Sequence, residues 1–336
     1  MDRRRLLHAI PRLAQLALAA TGLAALGFAP AQAQGTYPTR TITVVVPFAA
    51  GGPTDTVARL VAESMSRDLG QTVVVENVGG AGGTLGAARV AQARPDGQTL
   101  LLHHIGMATA PTLYRRLSYD AVGAFAPIGL VTEVPMTVIA RKDLPAKDLK
   151  ELAALIRKET TGINYANAGI GAASHLCGLL LQKAVDAPMT TVPYRGTGPA
   201  MTDLISGTVD VMCDQTTNTT EQIRAGAVKV FAVTTPERLP SMPDVPTAAE
   251  AGLPGMEVTI WHGLYAPKGT DAAILERLSK ALQTALRDPK VSQRFADLGT
   301  TPVAQERATP AAHASFWQAD IAKWKPVIEA AGQYAD

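Results

Sequence analysis

Ile42-Thr43-Val44-Val45-Val46-Pro47-Phe48-Ala49-Ala50-Gly51-Gly52-Pro53-Thr54-Asp55 is the stretch on which the fold turns. Its β-branched start predicts a strand, which Pro47 and the run of small residues end. Val57, Leu60, Val61, Met65 and Leu69 then recur at helical spacing, so the segment reads strand, glycine turn, helix. The alternation continues outward, with strands predicted at 72–75 and 99–102 and a helix at 86–93 between them. Further strands are predicted at 137–140, 163–165, 209–212, 228–233 and 264–266, and a helix at 149–158. From Asp271 the pattern is helical: Ile274, Leu275, Leu278, Leu282 and Leu286 form one stripe, Asp288-Pro289 restarts a helix near Val291, and Pro326 is expected to bend the last one. Strands alternating with amphipathic helices predict an α/β fold whose sheets are mainly parallel and flanked by helices. No flexible tether interrupts the pattern. Two lobes should therefore be joined by crossing strands, near Glu133-Val134-Pro135 and Val258-Thr259-Ile260. The expected division is residues 36–133 plus 260–336 for lobe 1 and 134–259 for lobe 2.

Upstream, Arg3-Arg4-Arg5, an apolar stretch over 13–28 and Ala31-Gln32-Ala33 follow the basic, apolar, A-x-A order of a cleavable export signal spanning 1–33. The apolar stretch falls short of a spanning helix, and no cysteine follows it to carry a lipid, so no stable membrane insertion is expected. Arg3-Arg4-Arg5-Leu6-Leu7 fits either a twin-arginine signal or an ordinary basic start. Cleavage removes four arginines and one aspartate, leaving 27 Lys and Arg against 28 Asp and Glu, so the net charge moves from +2 to −1. Such a near-neutral chain has no electrostatic footprint for nucleic acid. The two cysteines, Cys177 and Cys213, could form a disulfide in an oxidising compartment or stay as separate buried thiols; their spacing leaves both open.

Gly51, Gly52 and Asp55 stand where a strand feeds a helix, a place where free N–H groups and the positive helix end favour an anion. Alone, such a turn is equally a capped helix start, with Asp55 as cap or ligand contact. A second cluster, Gly79-Gly80-Ala81-Gly82-Gly83, follows the next strand, and two turns at the same end of neighbouring strands converge on one crevice. Neither matches a dinucleotide or Walker spacing. In the second half, Tyr165-Ala166-Asn167-Ala168-Gly169-Ile170-Gly171-Ala172-Ala173-Ser174-His175 repeats strand, small-residue loop and helix start, with Ser174 or a neighbour as cap and Asn167 facing a ligand. His175 reads as a structural hydrogen-bonding residue or a ligand contact. Arg195, in Tyr194-Arg195-Gly196, offers a carboxylate-binding fork or an ordinary surface charge. His103 and His104 alternate faces in a strand and cannot chelate together; His104 is assigned to the crevice.

Together these motifs resemble the extracytoplasmic solute receptors of tripartite tricarboxylate transporters, the Bordetella uptake gene family. The resemblance rests on Pro47–Asp55, Gly79–Gly83, Pro95-Asp96-Gly97, Gly169 and Gly171 before Ser174-His175-Leu176, and Val192-Pro193-Tyr194-Arg195-Gly196. It continues through Pro243-Asp244-Val245-Pro246-Thr247, Glu250-Ala251-Gly252 and Trp261, in order along nearly the whole exported chain. It implies a periplasmic, two-lobed clamshell binding protein of the type II-like kind, which buries a small mono-, di- or tricarboxylate, amino acid or aromatic acid in the cleft between the lobes. It also implies membrane transporter subunits as partners, a monomeric receptor and no cofactor. Carried over, Phe48, Ala49, Gly51, Gly52 and Asp55 form the floor with Gly82 nearby. Asn167, Ala168, Gly169, Gly171, His175, Arg195, Gly196 and Thr197 close from the other lobe, and Asp214 joins the wall. Asn167 stands where serine is common and Arg195 where lysine is common, both on the lobe that reads the ligand's far end. Two other classes fit the same residues: a receptor that reports occupancy to a sensor kinase, and a periplasmic hydrolase using His175 with Asp214. No G-x-S-x-G, HExxH or CxxC supports the enzyme.

Overall fold

Strand β1 (Ile42–Val46) is buried on both faces, in keeping with its Val-rich sequence, and β2 (Val73–Asn77) and β3 (Thr99–His104) flank it in parallel. The computed structural model describes residues 37–159, 162–332 and 334–335; the expected export signal lies outside them. From Pro38 onward the chain forms one unit. Helix α1 (Pro53–Leu69) begins with proline in its first turn and ends on Gly70 at φ 66°, burying Val57, Ala58, Val61, Met65 and Leu69. Helices α2 (Thr84–Ala91) and α3 (Gly106–Leu113) follow β2 and β3.

The long strand β4 (Phe125–Arg141) then leads to α4 (Leu149–Lys158), β5 (Asn164–Asn167), α5 (Ala173–Val185), β6 (Thr190–Pro193), α6 (Thr197–Ser206), β7 (Val211–Gln215), α7 (Thr216–Arg224) and β8 (Val228–Val233). β9 (Thr259–Pro267) returns, followed by α8 (Ala272–Arg287), α9 (Pro289–Asp297), β10 (Thr301–Pro302) and α10 (Pro310–Ala331), with Pro326 inside the last helix. The strand order is β2-β1-β3-β9-β4-β7-β5-β6, with β8 and β10 also pairing on β4. The expected parallel pairing holds for β2-β1-β3 and for β6-β5-β7. Between these two sets run antiparallel β9 and β4, so the whole is a mixed two-lobed α/β fold.

β4 is much longer than the strand predicted at 137–140 and changes partners along its length. Up to Pro135 it pairs with β9, Val134 opposite Ile260 and Pro135 opposite Thr259; from Met136 it pairs with β7, and from Thr137 with β8. Register shifts near Pro127 and Leu130 let it bend while staying paired. Cys177 on α5 and Cys213 on β7 are joined by a disulfide with their Cα atoms 6.0 Å apart, which resolves the alternative left open by their spacing.

Candidate functional site

Parallel strands deliver their following helices to one end of the sheet, and ligands of such folds gather at those carboxyl ends. Here that end holds a small, narrow cavity lined by Phe48, Pro53, Thr54, His104, Ala168, Ala173, Ser174, Thr197, Asp214 and Gln215. Pro53 and Thr54 open α1, Ala173 and Ser174 open α5, Thr197 opens α6, and Gln215 is the residue before α7. Four helix starts therefore meet at one small space.

None of those four helices has a side-chain cap: their N-cap residues are Gly52, Ala172, Gly196 and Gln215. Helices α2 and α3 are also uncapped, and they begin beside the His103 ring. By contrast α4, α8, α9 and α10 are capped by Asp148, Asp271, Asp288 and Thr309, each accepting from an N–H of its first turn. Orphan N–H groups and positive helix ends are thus concentrated on the cavity, and its lining holds no lysine or arginine.

Asp55 braces the first loop. Burial pushes its carboxyl up, yet hydrogen bonds from Arg59, from the Gly51 N–H at 3.0 Å and from Asn77 at 3.0 Å outweigh this and hold it below its usual value. Asn77 also donates to Phe48 O at 3.0 Å, so the turn is fastened at both ends. Gly51 needs its positive φ of 79°, whereas Gly52 has φ −87° and no such need.

Phe48 packs face-on against His104, ring centres 4.6 Å apart, and edge-on against His103. Burial lowers the His104 pKa to about 3, and its Nδ1 accepts from Gly106 N at 3.0 Å. A neutral ring with Nδ1 so engaged carries its proton on Nε2, adding an uncharged donor to the lining. His262, opposite His104 in the β3–β9 pairing, lies 3.4 Å from Thr54 Oγ1 through Nε2.

In the other lobe, Asn167 Oδ1 accepts from Gly169 N at 2.8 Å and Ser174 Oγ from Ala168 N at 2.9 Å, which folds the loop back on itself. His175, lowered to about 4 by burial, accepts from Gly171 N at 3.3 Å and serves the same loop. Burial raises Asp214 to about 6, although Asn218, the Gln215 N–H and Thr197 donate to it. Among the described residues no hydrogen bond joins His175 to Asp214.

Asp214 gives a pH prediction. Its folded pKa of about 6 exceeds the reference 3.8, so the folded chain holds a proton that the unfolded chain has lost between those values. Stability from this group is full below 3.8 and is lost as pH rises through about 6. At roughly 1.4 kcal/mol per unit, Asp214→Asn should gain about 3 kcal/mol on the wild type between pH 3.5 and 7. Urea titrations of both chains across that range cancel the buried histidines, which destabilise both alike on acidification; parallel curves would contradict it.

Segments that follow β1, β2 and β3 touch those that follow β5 and β6 directly around the cavity. Ala49 N donates to Arg195 O at 3.0 Å, Thr109 Oγ1 lies 3.3 Å from Gly171 O, and Tyr114 OH lies 2.7 Å from Ile170 O and 2.8 Å from Ala81 O. The approach is so close that a Cβ at Gly169 would sit 2.9 Å from Gly82 N, and one at Gly196 2.7 Å from Ala49 N. Of the residues expected in the site, Phe48, His104, Ala168, Thr197 and Asp214 line the cavity. Ala49, Gly82, Gly169, Gly171, Arg195 and Gly196 form the contacts between lobes. Gly51, Gly52, Asp55, Asn167 and His175 shape the loops behind them. The Arg195 side chain is exposed and outside the lining. Pro53, Thr54, Ala173, Ser174 and Gln215 line the cavity without having been singled out as ligand contacts.

Residues 57–333 match the model of the "Tripartite tricarboxylate transporter family receptor". The chain belongs to that receptor family. The receptor is similar to the periplasmic binding protein BugD, at TM-score 0.87 and 51% identity over 89% of this chain and 100% of that one. It is similar to MatC of Rhodopseudomonas palustris with bound malate, at TM-score 0.84 and 46% identity over 87% and 100%. A third likeness is R. palustris Rpa4515 with adipate, at TM-score 0.83 and 32% identity over 88% and 98%. These structures share the two-lobed fold of a solute-binding protein. Among the described residues of the receptor, no helix is long and apolar enough to cross a membrane.

Proposed function

We propose that the receptor is exported by the leader at 1–33, closes on a small carboxylate in the periplasm and presents it to the membrane subunits of a tripartite tricarboxylate-type transporter. The observation that carries this reading is the meeting of four uncapped helix starts at one cavity without a cationic side chain. A carboxylate there takes the place of the missing caps, held by N–H groups and by the Thr54 and Ser174 hydroxyls. Malate in MatC and adipate in Rpa4515 support carboxylates of four to six carbons. Lobe 1 then comprises 36–133 and 260–336 and lobe 2 comprises 134–259, a division supported by the change of β4 partners between Pro135 and Met136. Closing brings α5, α6 and α7 of lobe 2 onto an anion seated first on α1.

A thermal-shift screen of mono-, di- and tricarboxylates, amino acids and aromatic acids tests the reading. A ligand at a hundredfold excess over its Kd adds about 2.7 kcal/mol to stability, or about 4 °C for a chain of this size. Folded protein that responds to no acid in the panel would refute carboxylate capture.

A further inference from the structure

We propose that Tyr114 is the catch of the closed receptor: its hydroxyl, outside the cavity, fastens the Ile170 carbonyl and sets how fast a captured carboxylate leaves. The inference rests on the reading of a receptor that closes on a carboxylate, and it gives that site a positioning residue that controls release without touching the ligand. Tyr114 follows α3 and is no part of the cavity lining. Its hydroxyl oxygen lies 2.7 Å from Ile170 O and 2.8 Å from Ala81 O. A phenol has one proton to donate, so it bonds one of these two acceptors at a time. Ala81 O already accepts from the Thr84 N–H and, at 2.9 Å, from Thr84 Oγ1, which fill its two lone pairs. Among the described residues, Ile170 O has no donor other than Tyr114. The proton therefore belongs to Ile170, in the loop between β5 and α5. Burial pushes the Tyr114 pKa up to about 12, so the proton stays in place at neutral pH.

Each end of this bond is held by its own surroundings. The backbone around Tyr114 is pinned where Ala335 N donates to Leu113 O at 2.9 Å and Arg115 N donates to Ala335 O at 3.0 Å, with the Arg115 guanidinium 4.7 Å over the Tyr334 ring. Ile170 stands between Gly169 at φ 99° and Gly171 at φ 80°, whose N–H groups are taken by Asn167 Oδ1 and His175 Nδ1. Neither side needs the other to keep its shape. The bond lies at the surface, so water replaces it when the two segments part, and only a modest net gain is lost. That suits a contact which must break at every release. The neighbouring contacts differ: Ala49 N to Arg195 O is wholly backbone, and Thr109 Oγ1, 3.3 Å from Gly171 O, also has Gly106 O of its own helix at 3.4 Å. Tyr114 is the contact that loss of one hydroxyl removes.

Tyr114→Phe removes the proton and keeps the ring. On the whole exported chain, chase of radiolabelled malate, aspartate, adipate, citrate or benzoate by the unlabelled acid gives the dissociation rate, calorimetry gives Kd, and their quotient gives the association rate. For each acid that binds, dissociation should be about fivefold faster in Tyr114→Phe, the factor that one net hydrogen bond supplies. Association should stay within about twofold of wild type, since the effect of a contact made after capture falls on release. The melting temperature without acid should move by no more than about 1 °C. Dissociation at the wild-type rate overturns the inference and leaves carboxylate capture standing. So does weaker binding that comes from slower association, or a lower melting temperature with unchanged dissociation, since Tyr114 would then only brace the Gly79–Gly83 turn. Wild-type protein that binds none of the five acids removes the carboxylate reading, and the inference with it.

Discussion

Gly198→Ala is expected to leave a folded protein whose affinity for its carboxylate has fallen at least a thousandfold. Gly198 is in the first turn of α6, and its φ is not positive, so an alanine fits the local backbone and improves helix propensity by about 1 kcal/mol. Across the cleft, however, its Cβ would lie 2.7 Å from Ala50 O, 3.1 Å from Gly51 C and 3.2 Å from Gly52 N. Those neighbours are backbone atoms of a loop fastened by Asp55 and Asn77, so they have little room to retreat. The substitution therefore opposes closure and spares folding. An anion then keeps the α1 start but loses the α5, α6 and α7 starts, and about 4 kcal/mol of binding with them. Gly51→Ala is the matching control. Its Cβ would meet nothing within 4 Å, while its φ of 79° strains any L residue, so it should lower the melting temperature of the unliganded chain. Calorimetry gives the affinity and scanning calorimetry the stability; wild-type affinity in Gly198→Ala would show that the lobes need not meet for binding.

How legible the fold was depended on what filled each buried position. Helix α4 was bounded correctly at 149–158 because Leu149, Leu152, Ala153 and Ile156 make a clean stripe between an Asp148 cap and a basic last turn. Strand β8 was equally clear. Helix α7 showed no stripe, since its buried positions are Thr216, Thr217, Thr219 and Thr220. Threonine satisfies its hydroxyl by contacts that only tertiary structure supplies, such as Thr220 Oγ1 with Leu298 O at 3.2 Å. Most of β4 was hidden for another reason. Pro127, Gly129 and Pro135 interrupt it in sequence, and such residues argue against a central strand unless bulges absorb them. The cysteine pairing was open because spacing carries no information on Cα separation.

The site was legible where glycine turns marked close approach, and less so where polarity decided. Phe48, Thr197 and Asp214 entered through the resemblance to the receptor family. Thr54 and Ser174 read as ordinary residues of a helix start and Gln215 carried no reading, and their exposure to the cavity depends on which helix starts face each other. A signal was nevertheless present: once the helix starts are known, Gly52, Ala172, Gly196 and Gln215 stand where capping side chains are normally found. Arg195 illustrates the converse. A guanidinium is the strongest carboxylate fork in isolation, but the strand–helix turn that carries it turns its carbonyl to Ala49 and leaves its side chain exposed.

Reducing the Cys177–Cys213 bond should cost about 4 kcal/mol of stability. The bond closes a loop of 36 residues, and on the chain-entropy estimate that restriction of the unfolded state is worth about 4 kcal/mol. With an unfolding entropy proportional to chain length, the melting temperature should fall by about 6 °C. Cys177 and Cys213 are both fully buried, so double substitution by alanine adds a packing loss, and reductant on the wild type is the cleaner comparison. The bond also has a place in the binding geometry. Cys177 is four residues into α5 beyond Ala173, whose start lines the cavity, and Cys213 directly precedes Asp214 and Gln215. It therefore ties the α5 start to the end of β7, both of which line the cavity. Reduction should weaken carboxylate affinity as well as stability, at temperatures where the chain is still fully folded. Scanning calorimetry and titration with and without a phosphine reductant measure both, with mass spectrometry reporting the thiols. A melting temperature that does not move when both thiols are free would show that packing of α5 on β7, and not the covalent bond, holds this wall.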